Sequence, residues 1–199
     1  MKLGEYKLIF AAVGLIGIIL LATPALGAVI RFPSGEQFSE IYVLGPEHLA
    51  QNYPSNIAVG QNYSIYVGVG NHLGASAYYV LYAKFQNVTD SLPNATTGTP
   101  SPALPLYEYR FSVPDGTSWE SPLTFSVSNA TISTNQSLVK TVMINGFKFN
   151  VNSQVAWDLN STSFSYRLVF ELWLYNAASN SVQFNNRFVN LQLNLTETR

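Results

Sequence analysis

Apolar and polar side chains alternate with a period of two through most of this chain after Arg31, and that pattern limits the body to strands. Tyr63, Ile65, Val67 and Val69 alternate with Ser64, Tyr66, Gly68 and Gly70. Phe164, Tyr166, Leu168, Phe170, Leu172 and Leu174 alternate with Ser163, Ser165, Arg167, Val169, Glu171 and Trp173. Val189, Leu191, Leu193 and Leu195 do the same with Phe188, Asn190, Gln192 and Asn194. Successive side chains of a strand point to opposite faces, so each run marks a strand with one face on a core. The same reading predicts strands over 38–43, 77–85, 106–113, 123–127, 138–144 and 147–151. Asn145-Gly146 suits a two-residue hairpin turn, because both positions must take positive φ. No helical stripe follows Arg31, and only 46–51 could form a single helical turn. Eight or nine short strands predict an antiparallel sandwich of the immunoglobulin or fibronectin-like kind, with a closed antiparallel barrel as the alternative.

Ahead of this body, no charged side chain occurs between Lys7 and Arg31. A helix of about 23 residues at ~1.5 Å each spans roughly 34 Å, enough to cross a hydrocarbon core of ~30 Å. Residues 8–30 are therefore expected to be a transmembrane helix. The small residues Ala25, Gly27 and Ala28 after the apolar block also suit a cleaved signal peptide. Lys2 and Lys7 favour a cytoplasmic tail over residues 1–7, so the β body, 31–199, is expected outside the cell.

Composition agrees with an exterior location. Setting aside Lys2, Lys7 and Glu5 leaves 8 Lys and Arg against 10 Asp and Glu, a net charge of −2 and no basic footprint for nucleic acid. Charged residues are 11% of the chain, less than half the usual ~25%. The absence of cysteine removes disulfides, thiol catalysis and Cys-ligated metals, so the fold must stand on its core. The glycosylation triplet Asn-x-Ser/Thr occurs at Asn62, Asn87, Asn94, Asn129, Asn135, Asn160 and Asn194. About 18 Asn and about 33 Ser and Thr would give roughly three by chance, so seven is an excess.

Side chains that could carry chemistry are few. His48, beside Glu47, and His72, after Asn71, show no metal-ligand spacing, and each reads as a turn residue. No Gly-x-Ser-x-Gly elbow appears, and no Ser stands out beside a His and a carboxylate. Glu40, Glu108, Glu120 and Glu171 fall on expected strands or their edges, where an outward, solvated carboxylate is the ordinary expectation. Asp90, Asp115 and Asp158 are the only Asp, and Asp158-Leu159-Asn160 is too thin a cluster for calcium. Aromatics are plentiful, with 12 Tyr, 12 Phe and 3 Trp. Tyr78-Tyr79 and Tyr82, like Trp173 and Tyr175 against Phe170 and Leu174, put rings on both faces of a sheet. Such rings fill a core or, where exposed, stack on sugars or dock a partner. Trp119 and Trp157 read as rim residues near turns. The stretch 88–105, with Pro93, Pro100, Pro102 and Pro105, reads as a long loop carrying sequons, an excursion between two strands.

The run Phe38-Ser39-Glu40-Ile41-Tyr42-Val43-Leu44-Gly45-Pro46 continues through Ala50, Asn52-Tyr53-Pro54, Val59-Gly60 and Gly68-Val69-Gly70-Asn71-His72. It resembles an archaeal membrane-protein family, that of domain of unknown function 1616. Members of that family carry an F-T-E-F-Y-I-L-G-P opening, an E-N-Y-P step, a V-G-E turn and a G-I-V-N-H strand end. The likeness is tight over about 38–85 and rests on strand pattern beyond. It implies an exterior β-sandwich tethered to a membrane, often behind several helices where this chain has one, and it supplies no activity and no catalytic residues.

Together these features predict a single-pass cell-surface protein that is not an enzyme and needs no cofactor or metal. Its expected partners are the membrane and other surface proteins or glycans, touched by exposed rings and the 88–105 loop, and self-association is open. The alternative is a secreted subunit of an extracellular filament or sheath, donating 187–195 or 29–43 as an exchanged strand.

Overall fold

A computed structural model of the chain describes residues 6–7, 12–13, 15–16, 36–159 and 162–196. The chain divides into two units, Met1–Gln37 and Phe38–Arg199. In the first, Tyr6-Lys7, Ala12-Val13 and Leu15-Ile16 are helical. The rest of the expected span 8–30 lies outside the described residues. Among those described, no helix is long and apolar enough to cross a membrane.

In the second unit the period-two runs fold as strands: β1 Phe38–Leu44, β2 Asn56–Ala58, β3 Tyr63–His72, β4 Ala77–Asn87 and β5 Tyr107–Val113. They are followed by β6 Thr117–Ile132, β7 Gln136–Ile144, β8 Phe147–Ala156, β9 Phe164–Asn176 and β10 Ser181–Thr196. One five-stranded sheet runs β1-β3-β6-β7-β8 and the other β2-β10-β9-β4-β5. The two sheets share no ladder, so the body is an open sandwich rather than the alternative barrel. Asn145 and Gly146, at φ of 50° and 82°, make the β7–β8 hairpin turn as expected.

Three details differ from the sequence reading. Periodicity could not reveal β2, three residues behind Pro54; it pairs in parallel with the end of β10. The predicted strand 123–127 is the middle of the longer β6, whose first half pairs with β3 and second half with β7. Residues 46–51 form a turn and bends, not a helical turn. Of the two proposed donor segments, 187–195 pairs with β9 and the 38–43 part of 29–43 pairs with β3, while 29–35 lies outside the described residues. Opposite the step from Trp173 to Leu172, β10 carries the two extra residues Asn185 and Asn186.

The inward positions form one core. Ile65, Val67, Leu123, Phe125, Val142 and Ile144 from the first sheet meet Leu81, Ala83, Leu168, Phe170, Leu172 and Leu193 from the second. Each large aliphatic buried this way contributes about 1.5–3 kcal/mol. Three tyrosine hydroxyls then tie sheet to sheet. Tyr166 on β9 donates to the Ser137 carbonyl on β7 at 3.0 Å. The Tyr79 hydroxyl on β4 meets Ser39 Oγ at 2.7 Å and donates to Asn71 Oδ1 at 3.2 Å. On β5, Tyr109 donates to the Pro122 carbonyl at 2.9 Å and accepts from Asn145 Nδ2 at 2.8 Å. Burial pushes all three phenols above their usual range, which keeps them protonated donors.

Candidate contact faces

The outer side of the second sheet gathers rings. Tyr78 and Tyr82 on β4, Trp173 and Tyr175 on β9, and Phe184 on β10 fall on positions whose neighbours point into the core. Tyr82 meets Trp173 edge to face at 5.5 Å, Trp173 meets Phe184 at 5.9 Å, and Tyr78 meets Tyr175 edge to face at 6.3 Å. Such geometry sets the positive edge of one ring on the negative face of the next. Tyr78 and Tyr175 remain 37% and 40% exposed. Beside them on β5, Arg110 grips Glu108 with two bonds, 2.7 Å from Nε and 3.2 Å from a terminal nitrogen. The hydrogen bond to Glu108 raises the Arg110 pKa further, so its charge is permanent.

The same side holds a buried ion pair that periodicity misplaced. Glu171, expected to be outward and solvated, is fully buried, with Oε2 2.8 Å from Lys84 Nζ. Its other oxygen accepts the Ser101 N–H at 2.8 Å, and Lys84 donates to the Ser101 carbonyl at 3.0 Å. The loop 88–105 is therefore not a free excursion: it folds back over its own sheet and is pinned there by both charges. Glu171 Oε2 also accepts the Trp173 indole N–H at 3.2 Å, which fixes the central ring of the row. Nearby, Gln86 anchors the start of the loop through the Asp90 and Ser91 carbonyls, while its own Oε1 is buried without a partner.

The outer side of the first sheet carries the residues of the family motif. In the β1–β3 ladder Phe38 lies opposite His72, Glu40 opposite Gly70 and Tyr42 opposite Gly68. A Cβ at Gly68 would strike the Tyr42 ring and one at Gly70 the Glu40 side chain, so both glycines leave room for a neighbour lying flat on the strand. His72 is the last residue of β3 rather than a turn residue; it stacks on Phe38 at 4.6 Å and its Nε2 lies 3.5 Å from Glu40. His48 does sit in a turn, at φ of 58°, but it reaches Glu120 at 2.8 Å rather than the adjacent Glu47. Asn71 points inward and ties two loops to the fold, donating to the Ala75 and Val113 carbonyls. Tyr53 of the Asn-Tyr-Pro step donates to the Val43 carbonyl at 2.9 Å. Much of the motif is thus architecture.

The sequons divide. Asn62, Asn94, Asn129 and Asn135 are exposed, whereas Asn87 and Asn194 are half-buried and Asn160 lies outside the described residues. Trp157 is a rim residue, 39% exposed. Trp119 is not: it stacks on Phe111 at 3.7 Å and packs on the core. Among the described residues no three His, Asp or Glu side chains gather closely enough to hold a metal ion. Sequence reasoning missed Lys84, Ser101 and the tyrosine ties. The one available signal was a lone Lys and a lone Glu, each set between apolar residues in mid-strand.

The solved structures that match the chain share little sequence with it. The CARDB domain of a Pyrococcus furiosus protein is 9% identical at a TM-score of 0.38, covering 84% of this chain and 93% of that one. The sporulation control protein Spo0M of Bacillus subtilis is 12% identical at 0.39, over 81% and 50%. A β-glucosidase of Listeria innocua is 9% identical at 0.38, and the match spans 81% of this chain but 16% of the enzyme. No curated protein matches the chain. The family model of a domain of unknown function (DUF1616) matches residues 33–139, more than half of the sequence, and the chain belongs to that family.

Proposed function

We propose that this chain is a membrane-anchored cell-surface protein that works by contact rather than catalysis, its sandwich engaging proteins or glycans of the envelope. The observation that carries this reading is the row of rings on the second sheet, two of them more than a third exposed, beside a permanently charged Arg110. Rings held by their neighbours lose little freedom when a ligand arrives, so more of the contact energy appears as affinity. The uncharged stretch 8–30 supports the location, since a segment of that length and character either anchors a chain or exports it.

Two measurements test the reading. Membranes washed with alkaline carbonate should retain the full-length protein, and protease added to intact cells should remove its β domain. Release into the medium with a new N-terminus near Ala28 would replace the anchor with a cleaved signal, and protection from protease would end the surface reading. For the contact face, cross-linking on intact cells should recover partners with the natural protein and lose them with the Tyr78→Ser, Tyr175→Ser double variant. Equal recovery by both would remove the ring row from the account.

A further inference from the structure

We infer that N-linked sugars are carried on Asn62, Asn94, Asn129 and Asn135, that Asn87 and Asn194 stay bare, and that the end of the sandwich where β1 begins is free of sugar. The inference deepens the surface reading and rests on it.

Transfer joins Asn Nδ2 to the anomeric carbon of an oligosaccharide carried on a lipid phosphate. The carbon–oxygen bond to that phosphate breaks, the phosphate leaves with the electron pair, and Nδ2 gives one proton to a base of the transferase. The acceptor therefore needs an amide nitrogen that is open to solvent and room outside it for a sugar.

Four sequons meet this need. Asn62 is exposed in the turn before β3, and Asn135 is exposed in the β6–β7 turn. Asn129 is exposed at an irregularity in the β6–β7 ladder, with an exposed Thr131 two residues on. On the roof loop, Asn94 spends only its oxygen, which accepts the N–H groups of Thr96 and Thr97 at 2.9 and 3.1 Å. Its nitrogen is left for chemistry, and its Thr96 is exposed.

Two sequons do not. Asn194 is half-buried in β10 between β2 and β9, with Nδ2 donated to Asn56 and Oδ1 accepting from Ser165. Asn87 is half-buried where Asn94 is exposed, and it closes a tight turn in which its Oδ1 holds Thr89 N, Thr89 Oγ1 and Asp90 N, so the hydroxyl of its own sequon is already engaged.

The distribution is polar. β1 starts at Phe38 opposite His72, and the connections 73–76, 114–116 and 177–180 close that end of the sandwich. Asn71, Asn176 and Asn180 all lie there, yet none has Ser or Thr two residues on.

The test is glycopeptide mass spectrometry on full-length protein purified from its own host, reading every sequon from the natural sequence so that no variant needs to fold. Sugar on three or four of the open sites, with Asn87 and Asn194 unmodified, is the expected result. Sugar on Asn87 or Asn194, or on two or fewer of the open four, overturns it. Protease treatment of the same intact cells separates the two ideas. A domain that is shaved but carries no sugar sinks this inference alone, whereas a domain shielded from protease sinks the surface reading.

Discussion

The two outer faces of the sandwich arise from the same alternation and end up opposite in kind. On the first sheet Glu40 keeps 48% of its side chain in water beside His72. On the second, Glu171 keeps none, although it too sits outward on its strand. The difference is the loop 88–105, whose Ser101 encloses Glu171, whereas among the described residues no loop encloses Glu40. Period two says which side of a sheet a residue takes; what lies over that side decides whether a charge there is solvated or enclosed. The faces also differ in sequence coverage. Phe38, Glu40, Tyr42 and His72 fall within the family match, while Trp173, Tyr175 and Phe184 lie beyond its end at residue 139.

The contrast can be broken most forcefully at the enclosed pair. Glu171→Gln leaves Lys84 buried without a counter-charge and should cost about 3–5 kcal/mol. Denaturant unfolding would read that loss, and hydrogen exchange should show the 88–105 backbone loosened; unchanged stability would mean the roof is not held by charge. Tyr166→Phe, between the faces, should cost about 1–3 kcal/mol by stranding the Ser137 carbonyl in the core. Raising the pH probes the same ties without mutation. Phenols whose pKa is raised on folding add stability that is complete below their usual 10.0 and is lost as pH climbs through the raised values. Ultraviolet titration should therefore show Tyr79, Tyr109 and Tyr166 ionising late and together with unfolding. Simple ionisation of all 12 Tyr near the usual value would contradict the inter-sheet ties.

Smaller effects belong to the open face. Gly68→Ala places a methyl where the Tyr42 ring lies, and displacing that ring should cost about 1–2 kcal/mol. Least of all, Glu120→Gln should change stability by less than ~1 kcal/mol despite its 2.8 Å contact with His48, because water competes for both partners. A loss there comparable to that of Glu171→Gln would erase the distinction between the faces.

What the sequence made legible was sidedness. The alternation of β3, β9 and β10 placed their inward residues on the core, and Asn145-Gly146 marked its hairpin, because these depend on nearest neighbours. Depth was not legible. Lys84 and Glu171 are 87 positions apart in number, and the Ser101 backbone that completes their site belongs to a loop whose landing place no local pattern encodes. The tyrosine ties failed to show for the same reason: a Tyr and a Phe read alike in a hydrophobic run until the partner across the core is known. β2 is too short for any period to register.

The extra pair in β10 has a consequence of its own. Phe184 stands opposite Trp173 and Arg187 opposite Leu172, so the strand absorbs Asn185 and Asn186 without reversing the facing of anything that follows. Leu191, Leu193 and Leu195 still point inward after the interruption. The strand thus already absorbs added length at this spot without losing its core face, which makes it a natural place to graft a reporter peptide.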